Sequence, residues 1–148
     1  MKRFFITVLL AALALPAAAQ FFKKNDELLE PEKAFRFSAR AVEGGVEVRF
    51  QIADGYYLYR DKFRFAAEGN PAVRLGAPQF PPGIPHRDEF FGESQIYRKQ
   101  VAVRIPAQGE GAFELKVVSQ GCADVGVCYV PMDSQAALRL VGGTFADP

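Results

Sequence analysis

The strongest constraint on the fold is a two-residue alternation of apolar and polar side chains that recurs along the chain in short runs. Val46, Val48, Phe50 and Ile52 alternate with Glu47, Arg49 and Gln51, and Phe35 and Phe37 alternate with Arg36 and Ser38. Successive side chains of an extended strand point to opposite faces, so such a run buries one face and wets the other. Further runs lie at Tyr56–Arg60, Phe63–Ala66, Ala72–Leu75, Val101–Ile105, Phe113–Ser119 and Ala136–Val141. Gly44-Gly45, Asp54-Gly55, Gly69-Asn70-Pro71 and Gln108-Gly109 fall among them as turn signals. Nowhere do apolar residues keep a helical spacing for more than about a turn. The pattern predicts an all-β domain, an antiparallel β-sandwich.

The first residues stand outside this rhythm. Lys2 and Arg3 form a basic start, Phe4–Leu15 is apolar except for Thr7, and Ala17-Ala18-Ala19 offers a small-residue cleavage site. Residues 1–19 therefore read as a secretory signal peptide, whose apolar run is shorter than the ~20 residues of a membrane helix. Residues 20–33 read as a lead-in that packs an occasional side chain through Phe21 or Leu28, and 34–148 as the domain itself. Without the signal peptide, 129 residues remain with a net charge of −1. That balance argues against nucleic acid as a partner, since phosphate binding needs a basic face. No second apolar stretch approaches a membrane span. The expectation is a soluble domain outside the cytoplasm, where disulfides persist.

Residues 76–95 break the alternation with Pro78, Pro81, Pro82 and Pro85, followed by His86-Arg87-Asp88-Glu89-Phe90-Phe91-Gly92-Glu93. Proline at this density cannot feed hydrogen-bond ladders, so the segment reads as a long ordered loop. Two adjacent phenylalanines cost free energy when left in water, and Phe90 and Phe91 should cover something. The plainest cover is the core itself, with Asp88 and Glu89 as a solvated flank.

The chain has two cysteines, Cys122 and Cys128, with Gly126 near the apex of the turn between them. If they face each other across a hairpin, they come within disulfide range. In the chain-entropy model so short a loop gives about 2.4 kcal/mol, against about 4 or more for loops of 60–100 residues. The bridge is thus an inefficient staple, and the residues alone leave a staple and a redox pair both open. No Lys, Arg or His lies within five residues of either sulfur, and Asp124 lies between them. Unless a cation remote in sequence, such as Arg60, folds over them, these thiols are not self-activated. The spacing is also not Cys-x-x-Cys, which suggests a pair serviced by a partner bringing its own thiolate. A zinc site would need four ligands, and two cysteines with the single His86 leave one missing. A copper site fares little better, with Met132 as the one thioether beyond the signal peptide.

Three motifs together resemble one family, the periplasmic N-terminal domain of the thiol:disulfide interchange protein DsbD: GYYLYRDKFRF (Gly55–Phe65), PHRDEFFGESQIYR (Pro85–Arg98) and QGCADVGVCYVP (Gln120–Pro131). They occur in the family's order, and with the flanking strands they cover roughly Phe35 to Pro131. The resemblance implies an immunoglobulin-like sandwich with an inserted β-subdomain that carries the redox pair. Cys128 would form the mixed disulfide with partners, and Cys122 would be the resolving thiol. Asp88, Glu89, Phe90, Phe91 and Gly92 would form a cap loop, with Phe90 over the sulfurs and Tyr57 and Tyr59 lining the site. Electrons would come from the thioredoxin-like C-terminal domain of DsbD. They would pass to periplasmic disulfide isomerases and to a thioredoxin-like protein of cytochrome c maturation. The resemblance implies no cofactor beyond the disulfide, a periplasmic location in a Gram-negative cell, and a monomer. Arg87, Phe91, Gly126-Val127 and Val130-Pro131-Met132 depart from the family's usual residues and bear on partner preference. The family's membrane and thioredoxin-like domains do not follow Pro148, which leaves open a fragment of a longer protein or a free-standing domain reduced in trans. The competing reading from the residues is a secreted β-sandwich adaptor whose disulfide is purely structural.

Overall fold

The computed structural model describes residues 27–141, so the expected signal peptide, Phe21 and residues 142–148 lie outside it. One helical turn, α1 (Pro31–Ala34), leads into β1 (Phe35–Val42), β2 (Gly45–Ile52) and β3 (Tyr56–Tyr59). A 3-10 turn (Arg60–Lys62) connects these to β4 (Arg64–Glu68) and β5 (Arg74–Leu75). Then come β6 (Ile84–Asp88), β7 (Gly92–Tyr97), β8 (Gln100–Gln108), β9 (Gly111–Ser119), β10 (Gly121–Ala123), β11 (Val127–Cys128) and β12 (Met132–Leu140).

Two sheets, ordered β1-β2-β8-β5 and β12-β9-β4, face each other as an antiparallel sandwich. The alternation does what the sequence predicts. Val46, Val48 and Phe50 of β2 and Val101, Val103 and Ile105 of β8 point inward, where they join Phe113, Leu115 and Val117 of β9 in one core. Arg49 and Gln51 of the same β2 face water. Full burial of a side chain such as Leu115 contributes roughly 1.5–3 kcal/mol, so a core of this size carries the fold.

The third sheet, ordered β11-β10-β3-β7-β6, is the subdomain that holds both cysteines. Strand β3 joins it to the sandwich because all four of its residues are buried. Period two sends Tyr56 and Leu58 into the main core. Tyr57 and Tyr59, on the opposite face, pack with Ile96, Cys122 and Cys128 in a second cluster.

Two expectations need correction here. Residues 84–97 are not loop but a hairpin, β6 paired with β7 from Ile84↔Ile96 to Asp88↔Gly92. Pro85 is tolerated because β6 is the outermost strand, where a missing N–H costs no ladder bond. The irregular stretch is confined to the prolines before it, pinned by Phe80 against Phe63 and by the Tyr97 hydroxyl donating to the Pro81 carbonyl at 2.7 Å. The lead-in also docks differently from the expectation. Leu28 is exposed, and it is the backbone of Leu29 that is held. Its N–H donates to the Tyr56 hydroxyl at 2.8 Å, and the Tyr129 hydroxyl donates to its carbonyl.

Candidate functional site

Strand β10 lies between β3 and β11, with Cys122 opposite Tyr57 on one side and Cys128 on the other. The two cysteines are disulfide-bonded, with Cα atoms 4.0 Å apart. Tyr129 N–H donates to the Gly121 carbonyl at 2.9 Å, so the next pair along, Cys122 and Cys128, occupies a non-hydrogen-bonded position, where side chains come closest. Two glycines make this arrangement possible. Gly126, at φ 95°, closes the turn by donating to the Ala123 carbonyl at 3.0 Å, a left-handed conformation that costs glycine little. A Cβ on Gly121 would sit 2.4 Å from the Tyr57 carbonyl oxygen and 2.7 Å from the Phe35 ring. The two cysteines are unequally buried. Cys122 is 0% exposed, whereas Cys128 is partly exposed.

Behind Cys122 lies a chain of polar groups. The Tyr59 hydroxyl is 3.3 Å from the Cys122 sulfur and donates to Asp88 Oδ2. The same carboxylate oxygen meets His86 Nε2 at 3.0 Å and the Tyr57 hydroxyl at 3.5 Å. The rings of Tyr57 and His86 are 4.7 Å apart. Burial raises the pKa of Tyr59 far above the ordinary phenol, reinforced by its hydrogen bond to Asp88, and burial also raises that of Tyr57. Burial pushes the Asp88 carboxyl up. The Tyr59 hydroxyl, the Phe91 and Phe90 N–H groups and the charge of His86 together outweigh it, and the carboxyl is held below the usual range. Near neutral pH the site thus pairs an ionised carboxylate with a protonated phenol that touches a sulfur.

Asp88 is therefore not the solvated flank that the sequence suggests. Its side chain is 12% exposed, because it faces the tyrosines from the end of β6. Its other oxygen, Oδ1, accepts the N–H groups of Phe90 and Phe91 at 2.9 and 2.8 Å and so shapes the hairpin tip. Glu89 and Gly92 are exposed on that tip. Phe90, expected over the sulfurs, is 46% exposed. The aromatic contact between tip and site is made by Phe91, which meets Tyr59 edge-on at 4.8 Å.

The sequence does not mark His86 as a neighbour of the tyrosines, and as a metal ligand it lacks companions. His86 and Asp88 are two apart and share a strand face, a signal that becomes usable once residues 84–88 are recognised as a strand. Arg98 carries no sequence signal of its role either. It stacks 5.1 Å from the Tyr57 ring and grips Asp124 with two hydrogen bonds, at 3.1 and 2.9 Å. Arg60 does not fold over the sulfurs. Its guanidinium lies 5.4 Å from the Phe80 ring and donates to Gln95 Oε1 at 2.9 Å. The polar group in contact with a sulfur, among the described residues, is the Tyr59 hydroxyl.

The family described as the N-terminal part of the thiol:disulfide interchange protein DsbD matches residues 25–140. A DsbD protein of Pseudomonas aeruginosa is 44% identical over 94% of this chain and 24% of its own length. One of Ralstonia nicotianae is also 44% identical, over 97% of this chain and 23% of its own length. The chain thus spans about a quarter of the length of these relatives. Among solved structures, the reduced N-terminal domain of Neisseria meningitidis DsbD superposes with a TM-score of 0.71 at 40% identity. That match covers 78% of this chain and 92% of the other. The same organism's domain, solved in complex with the N-terminal domain of PilB, gives 0.64 at 39% identity, covering 76% and 88%. With these likenesses, the architecture is the immunoglobulin-like β-sandwich expected from the motifs.

Proposed function

The chain belongs to the family of DsbD N-terminal domains, and from that membership we propose that it is a periplasmic thiol:disulfide exchange module working through Cys122 and Cys128. A thioredoxin-like domain supplies the electrons. Periplasmic disulfide isomerases and a thioredoxin-like protein of cytochrome c maturation receive them. The hairpin tip, Asp88 to Gly92, is the cap that a partner displaces to reach the pair.

The observation that carries this reading is the unequal burial of the two cysteines. A partner thiolate approaching from solvent meets Cys128 first. It attacks that sulfur, the Cys122–Cys128 bond breaks, and its electron pair leaves on Cys122. The Tyr59 hydroxyl, 3.3 Å from that sulfur, turns its single proton from Asp88 toward the new Cys122 thiolate, which then takes a proton. The partner's second thiolate attacks the partner sulfur of the mixed disulfide and releases Cys128 as a thiolate, which is protonated in turn. The chain ends as a dithiol and the partner as a disulfide, two electrons and two protons having moved. Reversing the sequence reduces the next partner.

Equilibration in glutathione buffers, with the fold followed by circular dichroism, tests the proposal. The expected midpoint is roughly −230 mV with the β signal unchanged, among the potentials of thioredoxin-fold partners. A midpoint below about −300 mV, or unfolding on reduction, would make the bridge a staple. Cys128→Ser should abolish transfer with the fold intact, while Cys122→Ser should accumulate mixed disulfide. Sustained turnover by Cys128→Ser would overturn the assignment.

A further inference from the structure

We infer that Lys62 is a positioning residue that latches the hairpin tip onto the redox site through the ring of Phe91, an inference resting on the reading of that tip as a cap. Lys62 ends the 3-10 turn that follows Tyr59, and its ammonium lies 4.2 Å from the centroid of the Phe91 ring. That ring meets Tyr59 at 4.8 Å, and the Tyr59 hydroxyl lies 3.3 Å from the Cys122 sulfur. The ammonium therefore clamps the tip ring against the ring that touches the sulfur.

Of the arginines near the site, Arg98 stacks on the Tyr57 ring and pairs with Asp124, and Arg60 holds Gln95 and Phe80. Lys62 forms no ion pair among the described residues. The position of the contact matters as much as its chemistry. Asp88 ties the backbone of the tip to Tyr59, one oxygen accepting the Phe90 and Phe91 N–H groups and the other the Tyr59 hydroxyl, but it leaves the Phe91 ring unfastened. Lys62 reaches the tip from the β3–β4 connection, so its contact must break when Phe91 swings away. A ring face attracts an ammonium by its quadrupole, and at a half-exposed site this changes a two-state population by about two- to five-fold.

The test is alkylation of Cys128 in the reduced protein by iodoacetamide, an uncharged reagent, followed across pH. Lys62→Met keeps the apolar stem and removes the charge. It should raise the rate about two- to five-fold at every pH without moving the midpoint of the pH profile. Lys62→Arg should restore the slow rate, since a guanidinium also stacks on a ring. High salt should lift the wild-type rate toward that of Lys62→Met and leave the variant nearly unchanged. Phe91→Leu should reproduce the effect, with no further gain when Lys62→Met is added.

If Lys62 instead acted on the thiol by charge alone, its removal would slow the reaction near neutral pH and move the midpoint upward, which overturns the latch. Wild-type rates in Lys62→Met, with Phe91→Leu accelerated, overturn the latch and leave the cap standing. Wild-type rates in both variants overturn the cap and the latch together.

Discussion

Replacing Asp88 separates the two jobs that its carboxylate performs. One oxygen receives the N–H groups of Phe90 and Phe91, at 2.9 and 2.8 Å, and the other receives the Tyr59 hydroxyl. In Asp88→Ala both backbone bonds are lost. The freed N–H groups sit on an exposed tip and regain water, so each bond is worth about 1 kcal/mol net rather than a full desolvation penalty. Losing about 2 kcal/mol of closure raises the open population roughly 30-fold. The rate at which iodoacetamide reaches reduced Cys128 should rise by that order. Asp88→Asn removes the same charge but keeps an amide oxygen that can accept both N–H groups. Its rate should therefore stay within about three-fold of wild type, because most of the ~2 kcal/mol is retained. The two variants change the charge near the thiols equally, so their difference isolates the tether. Equal rates for Asp88→Ala and Asp88→Asn, or a change below about two-fold in Asp88→Ala, would refute the idea that this carboxylate holds the tip.

Acid offers a second view of the same tether. Asp88 is held below the ordinary carboxylate value, so the closure it provides is complete above the unfolded pKa of about 3.9 and is lost as pH falls through the lower folded value. The amide proton shifts of Phe90 and Phe91 should titrate together with a midpoint below about 3.9, and a midpoint above that value contradicts the assignment. Gly121→Ala should be costly wherever the redox state stands, since its Cβ would meet the Tyr57 carbonyl oxygen at 2.4 Å and backbone cannot yield cheaply. Overpacking of this kind costs about 3 kcal/mol, and the thermal midpoint should drop by roughly 10 °C or more. A drop of less than about 3 °C by circular dichroism would show that β10 can move off β3 without penalty.

Much of this molecule is legible in its amino-acid sequence. The alternation in β2, β8 and β9 identifies the buried face of each strand, because side-chain direction in an extended chain depends only on local backbone geometry. The cysteine hairpin is legible for the same reason, as its strands are joined by a turn ending in Gly126. The motifs likewise bring Tyr57, Tyr59, Asp88 and the cysteines into one site, though the residues alone leave the purpose of the bridge open.

What the residues conceal is which distant segments meet. Tyr56–Arg60 reads as one more short strand, yet β3 is buried on both faces because Tyr56 and Leu58 enter the main core while Tyr57 and Tyr59 pack against Ile96 and Cys122. The proline signal hid the β6–β7 hairpin, since proline rules out an inner strand but not an outermost one, and edge position is a property of the assembled sheet. The convergence of Asp88 and His86 on Tyr59, and of Lys62 on Phe91, joins residues up to some thirty positions apart in the chain. Local periodicity reports the direction in which a side chain points and carries no information about its counterpart. That pairing is set by the closing of sheets over a shared core, whose free energy depends on contacts between segments remote in sequence.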